Sequence, residues 1–183
     1  LRYRIPWVLA EAVVAEHPAP FAAGLDLGCG TGLVGDALGR EEAPVLDGID
    51  LSPKMVAITR GKGRYRAVYE GDIVAATSRP EVRGAGYDLV VAADVFIYVG
   101  ALEPVFARVA EIMARDGLLA FSLEHLDGDG FAIQASSRYA HGPGYTARLA
   151  AASGFAPVLS QEVPLRQESG RDIPGRVEVW RRE

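Results

Sequence analysis

The stretch LDLGCGTGLVG, residues 25–35, decides the fold, and it matches two nucleotide-binding patterns at once. Read from Gly30, the segment GTGLVG is a G-x-G-x-x-G sequence, the fingerprint of dinucleotide-binding folds. Read from Asp26, the segment DLGCGTG is an acidic residue followed by three glycines at alternate positions. The two readings place the end of the first strand, and therefore the ligand-binding turn, at different residues.

The composition is that of a globular protein with one core. The chain has 183 residues, 49% of them hydrophobic and 23% charged, which predicts a single domain over residues 1–183. A net charge of −5 without a Lys/Arg run makes nucleic acid an unexpected partner. The sequence has neither an apolar stretch long enough for a membrane span nor a signal peptide, so no membrane association and a cytoplasmic location are expected.

Cysteine and histidine usage argues against two further kinds of site. Cys29 is the only cysteine, so no disulfide can form within the chain and a cysteine-based metal site is not expected. The three histidines, His17, His125 and His141, lack the spacing of metal ligands. We therefore predict no metal.

Extended and helical patterns alternate along most of the chain. Five strand patterns alternate with helical segments, among them an amphipathic helix over residues 103–115. A helix closed by Gly154 then precedes two last strands, which are joined by the turn-rich segment QESGRDIPG, residues 167–175. The alternation predicts a parallel sheet with helices on both faces, and the final hairpin adds one antiparallel strand.

The end of the first strand separates the two readings of the glycine segment. In a dinucleotide fold the first fingerprint glycine follows strand one directly. If that glycine were Gly30, the strand would have to contain Gly28, and a glycine weakens a strand interior. If it is Gly28, the strand is uninterrupted, the next helix begins near Gly32, and Gly35 packs that helix on the sheet. We therefore adopt the second reading.

Three carboxylates agree with this reading. Asp50 closes the second strand, where it can accept hydrogen bonds from both hydroxyls of a ribose. Asp72, in EGDI, lies just past the third strand, where a carboxylate can take the exocyclic amine of an adenine. Asp26 is expected in the first turn, near the cationic groups of the ligand. Such an acidic site suits S-adenosylmethionine (SAM), a sulfonium with an amino group, and suits the pyrophosphate of NAD poorly.

On these residues the chain resembles the class I SAM-dependent methyltransferases. The resemblance covers nearly the whole length, through LDLGCGTG, GIDLSPKM, EGDI, YDLVVAADVFIYV and DGLLAFSLE. The tail, RYAHGPGYTARLAAASGF and then IPGRVEVWRR, resembles small bacterial methyltransferases that are sometimes described as TPR-linked, although no TPR repeat is present. The family implies an α/β fold: a single Rossmann-like, doubly wound sheet of seven strands in the order 3-2-1-4-5-7-6, with strand seven antiparallel.

The resemblance also implies how the cofactor SAM, and its product S-adenosyl-L-homocysteine (SAH), would be bound. The glycine loop would carry the methionine part, the end of strand two the ribose, and the segment after strand three the adenine. The end of strand four would lie beside the sulfonium, and two apolar residues are expected as walls near the adenosine. The residues so assigned are, in that order, Gly28, Cys29 and Gly30; Asp50; Asp72 and Ile73; Ala93 and Asp94; and Leu51 and Met55.

The methyl acceptor would meet residues at the same end of the sheet. Transfer by in-line displacement needs mainly orientation, and a general base only where the nucleophile must lose a proton. We predict that His141 or His125 acts as base or substrate ligand, with Asp94 as a further candidate; the alternative for each histidine is a surface or loop-packing role. Further candidate substrate contacts are Tyr98, Arg138, Tyr139 and Tyr145.

The predicted function is methyl transfer to a small molecule by a monomer or homodimer. Two alternatives would use the same cofactor residues: a protein or RNA methyltransferase that needs a partner subunit, and a non-catalytic SAM-binding module that regulates or scaffolds a partner. An NAD(P)-dependent short-chain oxidoreductase is disfavoured, because neither Lys54 nor Lys62 completes a Tyr-x-x-x-Lys pair.

In many methyltransferases of the class that the chain resembles, a segment before the first core helix covers the cofactor. Such a lid is possible upstream of Leu1, and Tyr3 and Arg4 are the residues here that could reach the site.

Overall fold

In the part of the chain that the structure describes, the fold is one sheet of nine strands between two layers of helices. The structure, a computed structural model, describes residues 3–17, 20–168 and 170–183, so Leu1 and Arg2 at the predicted lid lie outside the described residues. The helices are α1 Ile5–Glu16, α2 Leu33–Ala37, α3 Pro53–Gly61, α4 Ile73–Thr77, α5 Pro80–Arg83, α6 Glu103–Ile112 and α7 Pro143–Ser153, with a 3₁₀ turn at Phe96–Tyr98. The strands are β1 Gly24–Leu27, β2 Leu46–Asp50, β3 Ala67–Glu70, β4 Tyr87–Ala92, β5 Met113–His125, β6 Phe131–Ile133, β7 Tyr139–His141, β8 Phe155–Glu168 and β9 Arg171–Arg182.

The strand order confirms the predicted topology. Strands β3, β2, β1, β4 and β5 are parallel neighbours in that order. Strand β9 pairs antiparallel with β5, and β8 pairs antiparallel with β9. The order 3-2-1-4-5-9-8 is the expected one, with β8 and β9 as the sixth and seventh strands of the prediction. The carboxyl ends of the parallel strands therefore meet at one edge, where such folds bind ligands.

Two short strands, β6 and β7, were not predicted. Glu124 of β5 pairs with Gly175 of β9 and also with Ala140 of β7. The two partners of one strand residue lie on opposite edges of that strand. β7 therefore pairs with the same edge of β5 as β4, whose pairing with β5 ends at Ala92. The β6–β7 pair consequently lies beside the turn that follows β4, at the ligand-binding end of the sheet.

Two predicted boundaries were wrong. The helix expected over residues 103–115 ends at Ile112, because Met113 pairs with Tyr87 of β4 and already belongs to β5. The turn expected over residues 167–175 is mostly paired strand, since β8 reaches Glu168 and β9 begins at Arg171; Ser169 lies outside the described residues. The final hairpin therefore projects beyond the end of β5.

The sheet carries an apolar core on each face. On one face, α1 contributes Leu9 and Val13, which are buried with Leu89 and Val91 of β4. The other face holds an aromatic cluster of Phe96, Phe106, Phe121, Phe155 and Trp180. None of the described helices is long and apolar enough to span a membrane.

Replacing Gly175 with alanine is expected to destabilise the hairpin where it leaves the sheet. A Cβ atom at Gly175 would lie 2.4 Å from Leu165 Cγ and 2.6 Å from the carbonyl oxygen of Leu123. Since Leu123 of β5 is paired with Arg176 of β9, its backbone cannot move away freely, and the clash should lower the free energy of unfolding by about 1–3 kcal/mol. Urea unfolding measures the change. Gly61→Ala is the matched control, because its Cβ would meet nothing within 4 Å; equal stability of the two variants would contradict the prediction.

Candidate functional site

The glycine loop follows β1 in the predicted register. Strand β1 ends at Leu27, and Gly28, Gly30 and Gly32 all adopt positive φ, at 64°, 53° and 82°. A Cβ at Gly28 would lie 2.5 Å from Val95 Cγ2, whereas at Gly30 the nearest atom would be the Gly28 oxygen at 4.0 Å. The loop therefore packs closely at Gly28 and presents open space at Gly30, where backbone can approach a ligand.

The Asp50 carboxylate is held at the end of β2 by the backbone. Its Oδ2 atom accepts from the Gly30 N–H at 2.8 Å, and its Oδ1 atom accepts from the Ser52 N–H at 2.8 Å. Each carboxylate oxygen can accept a second hydrogen bond. The carboxylate is therefore oriented by the glycine loop while it keeps acceptor capacity for the hydroxyls of a ligand.

Most of the predicted cofactor residues line one cavity, here called the cofactor cavity. It has a volume of about 560 Å³ and lies between the glycine loop, the end of β2 and the turn after β4. Of the predicted residues it is lined by Gly28, Gly30, Asp50, Leu51, Met55, Asp72, Ile73, Asp94 and Tyr98; sequence reasoning did not name Ser52, Gly71, Val95 and Val99, which also line it.

A smaller space, the loop cavity, adjoins the same glycines. It has a volume of about 210 Å³, and Gly28, Gly30, Ala93 and Tyr3 are among the residues that line it. Gly28 and Gly30 line both cavities. The glycine loop therefore separates two spaces, and the ends of β1 and β4 reach both.

Asp72 has a structural role as well as a place in the cofactor cavity. It is the N-cap of α4, and its Oδ1 atom accepts from the N–H groups of Val74 at 2.9 Å and Ala75 at 3.3 Å. A capping carboxylate fixes the start of the helix. The adenine contact of Asp72 stays a prediction, for which its other oxygen has capacity.

The structure corrects the placement of Asp26. The residue lies inside β1 rather than in the turn, and it is 0% exposed. Its Oδ2 atom accepts from the Tyr65 hydroxyl at 2.6 Å, and its Oδ1 atom has no partner among the described residues. Burial, with a smaller contribution from the Asp50 charge, raises the pKa of Asp26 to about 7, although the Tyr65 hydrogen bond lowers it. Asp26 is not among the residues that line the cofactor cavity or the loop cavity, and its contact with the cationic groups of the ligand stays a prediction.

Tyr65 is a site residue that sequence reasoning missed. Its hydroxyl donates to Asp26 and accepts from the N–H of Gly35 at 3.0 Å, so it connects β1 with helix α2. A Cβ at Gly35 would lie 2.7 Å from the Tyr65 ring, so Gly35 packs on this ring. The sequence marks Gly35 as a packing glycine but gives no signal that identifies its partner.

The buried Asp26 predicts a specific pH dependence of stability. Its pKa in the folded chain, about 7, lies above the ordinary value of 3.8, so the folded state holds the proton more tightly than the unfolded state. The stabilisation is complete below the ordinary value and is lost as the pH rises through the folded pKa. Between pH 4 and pH 7 we expect the free energy of unfolding of the wild type, measured in urea, to fall by about 1 kcal/mol or more relative to that of Asp26→Asn. The reason is that one pKa unit corresponds to about 1.4 kcal/mol. Asp36→Asn, on the exposed face of α2, should show the same change of unfolding free energy with pH as the wild type. The same change in Asp26→Asn would contradict the prediction.

Cys29 has little capacity for new contacts. Its side chain is buried with Val56 and Val68, and burial raises the pKa of the thiol to about 12. Its N–H donates to the Ile49 carbonyl at 2.9 Å, and its own carbonyl accepts from the Gly32 N–H at 2.7 Å. The predicted contact of Cys29 with the methionine part would therefore depend on the shape of its backbone rather than on a free N–H or thiolate.

Asp94 is held in an unusual conformation at the end of β4. It is a non-glycine residue with a φ of 54°. Its N–H donates to Ser122 Oγ at 2.9 Å, the Ser122 hydroxyl donates to Asp94 Oδ1 at 3.1 Å, and the Tyr3 hydroxyl also donates to this carboxylate. Burial raises the pKa of Asp94, while these bonds and the charges of Arg166 and Arg138 oppose the rise. Such strain in a non-glycine residue is frequent at functional sites.

His141 does not reach the cofactor cavity. It is 0% exposed within β7, with its Nε2 atom 2.9 Å from the Gly100 carbonyl oxygen, and burial lowers the pKa of the imidazole. The adjacent Tyr145 is also buried; its hydroxyl accepts from the Leu102 N–H and donates to Glu103. His141 lies in β7, which pairs with β5, and Tyr145 lies in α7; neither side chain lines the cofactor cavity, and their predicted substrate contacts stay predictions.

His125 lies at the end of β5 but faces the hairpin. Its Nε2 atom is 3.1 Å from Asp127 Oδ1, and its Nδ1 atom is 3.2 Å from Arg176 Nη1. Because a guanidinium only donates, Nδ1 is the acceptor and carries no proton. The cavity that His125 lines, about 400 Å³, is formed by residues of the hairpin such as Pro164 and Asp172. His125 lines neither the cofactor cavity nor the loop cavity.

The other substrate candidates divide into two groups. Tyr98 is 68% exposed and lines the cofactor cavity. Arg138 forms an ion pair with Glu168 at the tip of the hairpin, and the Tyr139 ring packs against Phe131 with centroids 6.0 Å apart. Of these three, only Tyr98 is directed at the predicted cofactor.

The sheet order, the glycine loop after β1 and the carboxylate at the end of β2 define a Rossmann-like methyltransferase fold. In agreement, the chain matches the family model described as a methyltransferase domain over residues 25–119, more than half of its length. The chain therefore belongs to this methyltransferase-domain family. No curated protein sequence matches it.

Solved structures of SAM-dependent methyltransferases share the fold. One from Mesorhizobium loti is 22% identical, with 97% of this chain and 98% of that chain covered and a TM-score of 0.72. The Burkholderia thailandensis 1,6-didemethyltoxoflavin N1-methyltransferase, with its substrate and SAH bound, is 20% identical over 99% and 79% of the two chains, with a TM-score of 0.72. The Synechocystis magnesium protoporphyrin IX methyltransferase, with SAM bound, is 19% identical over 98% and 78%, with a TM-score of 0.70. These comparisons agree with the class of protein and with SAM, the cofactor predicted from the sequence.

Proposed function

We propose that the chain is an enzyme that transfers a methyl group from SAM to a small-molecule acceptor. The observation that carries the proposal is the Asp50 carboxylate, which two backbone N–H groups orient at the cofactor cavity. A ribose binds to such a carboxylate through both of its hydroxyls. We also propose that residues 1–183 form one domain, because both apolar cores pack on the same sheet.

The cofactor cavity fits SAM in size and charge. Its volume of about 560 Å³ lies within the range of about 300–1,000 Å³ of small-molecule pockets. Asp50, Asp72 and Asp94 supply negative charge around it, which suits a sulfonium and an ammonium group. In our proposal Gly28 and Gly30 contact the methionine part, Asp50 the ribose, and Asp72 with Ile73 the adenine. Leu51 and Met55 would form apolar walls, and Ala93 and Asp94 would lie beside the sulfonium.

We propose Asp94, rather than His125 or His141, as the side chain at the reacting atoms. SAM, when bound, would supply an electrophilic methyl group to the acceptor atom, and its sulfur would leave with the electron pair of the carbon–sulfur bond. Asp94 then takes the proton that a hydroxyl or amine acceptor loses. Its pKa is raised by burial, and Ser122 and Tyr3 fix its position. A raised pKa brings a carboxylate closer to the range useful for a base.

Two observations support a small molecule as acceptor. The net charge of −5 offers no general attraction for nucleic acid. The similar enzymes with toxoflavin and porphyrin substrates act on small molecules, as their names state.

Calorimetric titration of the purified chain with SAM, SAH and NADH tests this proposal. We expect SAM and SAH to bind with one site per chain and NADH not to bind. The pattern follows from Asp50, Asp72 and Asp94, whose carboxylates line the cofactor cavity and disfavour a pyrophosphate there. Binding of NADH without binding of SAH would overturn the proposal. A chain that binds SAH but produces none from SAM when candidate acceptors are present would support the non-catalytic alternative instead.

A further inference from the structure

A cavity that the sequence did not predict lies between the start of α1 and the final hairpin. This hairpin cavity has a volume of about 460 Å³, within the range of about 300–1,000 Å³ of small-molecule pockets. Its walls are largely apolar, with Ile5 and Val8 from α1 and Val163 and Leu165 from β8. The space is therefore suited to the apolar body of a small molecule.

The hairpin cavity adjoins the carboxylate proposed for the reaction. Tyr3 lines both this cavity and the loop cavity, and its hydroxyl donates to Asp94. Arg166 also lines the hairpin cavity, and its charge acts on the Asp94 carboxylate. Two residues that line the hairpin cavity, Tyr3 and Arg166, therefore also act on the Asp94 carboxylate.

A bulge in β8 aims Arg166 into this region. The pairing with β9 shifts between Pro164 and Arg166, so that Leu165 is an extra residue and is buried. Bulges commonly redirect side chains beside active sites. The Arg166 Nη2 atom donates to Glu124 at 2.6 Å and Nε donates to Glu168 at 2.7 Å. Its Nη1 atom is buried and has no hydrogen-bond partner in the described part of the chain.

The charges around Arg166 are already balanced. Arg166 and Arg138 carry two positive charges, and Glu124 and Glu168, which bind them, carry two negative ones. The other charged residues that line the cavity are Arg4, which pairs with Glu11, and Asp172, which accepts a hydrogen bond from Gln167. An anionic ligand would find no uncompensated positive charge and would face the Asp172 carboxylate, whereas a cationic ligand would face the Arg166 guanidinium. The unpaired Nη1–H group instead suits an uncharged oxygen, which can accept its hydrogen bond without bringing a further charge.

We infer that the hairpin cavity binds the methyl acceptor, and that this acceptor is an uncharged molecule with an apolar body and a carbonyl-type oxygen. The oxygen accepts a hydrogen bond from Arg166 Nη1, which makes Arg166 a specificity-determining residue. The inference rests on the proposed function, whose substrate class it names. Binding at this cavity does not require SAM, so the two can be tested separately.

Three matched probes test the substrate class: benzamide is neutral, benzoate is anionic and benzylamine is cationic. Each is titrated into chain labelled with ¹³C at its methyl groups, and the Val8 and Leu165 resonances report on the hairpin cavity. We expect benzamide at millimolar concentration to shift these resonances, and the two charged probes to bind more weakly. Benzoate or benzylamine binding as tightly as benzamide would overturn the class. Failure of all three probes to shift the resonances would overturn the site.

Two variants and a control assign the binding to Arg166 and to the cavity. Arg166→Lys keeps a charge for Glu124 but loses the planar guanidinium, so benzamide should bind about tenfold more weakly. Val8→Phe should abolish binding by filling the cavity without touching the ion pairs. The control Arg138→Lys changes the neighbouring guanidinium, which does not line the cavity, and should bind benzamide as wild type does. Unchanged binding in Arg166→Lys would overturn the role of Arg166.

The same samples separate this inference from the proposed function. A titration with SAH is expected to shift the methyl resonances of Met55 and Ile73 in the cofactor cavity. Shifts with SAH and none with benzamide would overturn the inference and leave the proposed function standing. Shifts with benzamide and none with SAH would overturn the proposed function, on which the assignment of the cavity to a methyl acceptor rests.

Discussion

Asp50→Ala is expected to bind SAH about 100-fold more weakly than the wild-type chain. The carboxylate would accept hydrogen bonds from both ribose hydroxyls, and a hydrogen bond to a charged group contributes about 1.5–3 kcal/mol. Two such bonds amount to about 3 kcal/mol at the lower end, which corresponds to about two factors of ten in affinity. The variant also leaves the N–H groups of Gly30 and Ser52 without their acceptor, which loosens the loop that faces the ligand. Calorimetric titration measures the loss.

Two controls show whether the loss arises at the ligand. Asp50→Asn keeps the shape of the side chain and one carbonyl oxygen, so its affinity for SAH should lie between those of wild type and Asp50→Ala. Asp36→Asn changes an exposed carboxylate on α2 that pairs with Lys62, and it should bind as wild type does. Wild-type affinity in Asp50→Ala would contradict the assignment of the ribose to this residue.

The cofactor side of the site could be predicted because its signals are local. Gly28 and Asp50 each stand at the end of a strand that the sequence pattern defines. Parallel strands end at one edge of the sheet, so residues at successive strand ends meet in space whatever the rest of the fold does. Asp72 follows the same rule at the end of β3. The cavity that these residues line is therefore encoded by strand boundaries alone.

The region that we propose for the acceptor could not be predicted, because it depends on pairing between distant segments. His141 appears in a polar loop sequence, but the pairing of β7 with β5 makes it part of the core. Met113 continues a helical pattern, yet its pairing with Tyr87 places it in a strand. Arg166 lies in an ordinary strand sequence, and only its bulged pairing with β9 turns it toward Asp94. Tertiary contacts overrode local preference at each of these positions.

Trp180→Ala is expected to lower the free energy of unfolding by about 3–5 kcal/mol, the range for truncation of a large buried aromatic side chain. Trp180 is 1% exposed, and its ring lies 4.8 Å from the Phe121 centroid and 5.2 Å from the Phe106 centroid. Its position in β9, antiparallel to β5, joins the hairpin to the aromatic core. The truncation therefore removes contacts with both the sheet and α6.

A polar contact adds to this cost and can be measured separately. The indole Nε1–H of Trp180 donates to Glu178 Oε2 at 3.1 Å, and Glu178 is buried, with its other oxygen bound to Arg176. Loss of the donor leaves a buried carboxylate oxygen unpaired, which costs about 1–3 kcal/mol. Trp180→Phe keeps most of the apolar contact but loses the donor, so its stability should lie between those of wild type and Trp180→Ala. Urea unfolding followed by circular dichroism provides the comparison, since the substitution removes one of the two tryptophan fluorophores. A Trp180→Ala chain as stable as Trp180→Phe would show that the ring does not anchor the hairpin that carries Arg166.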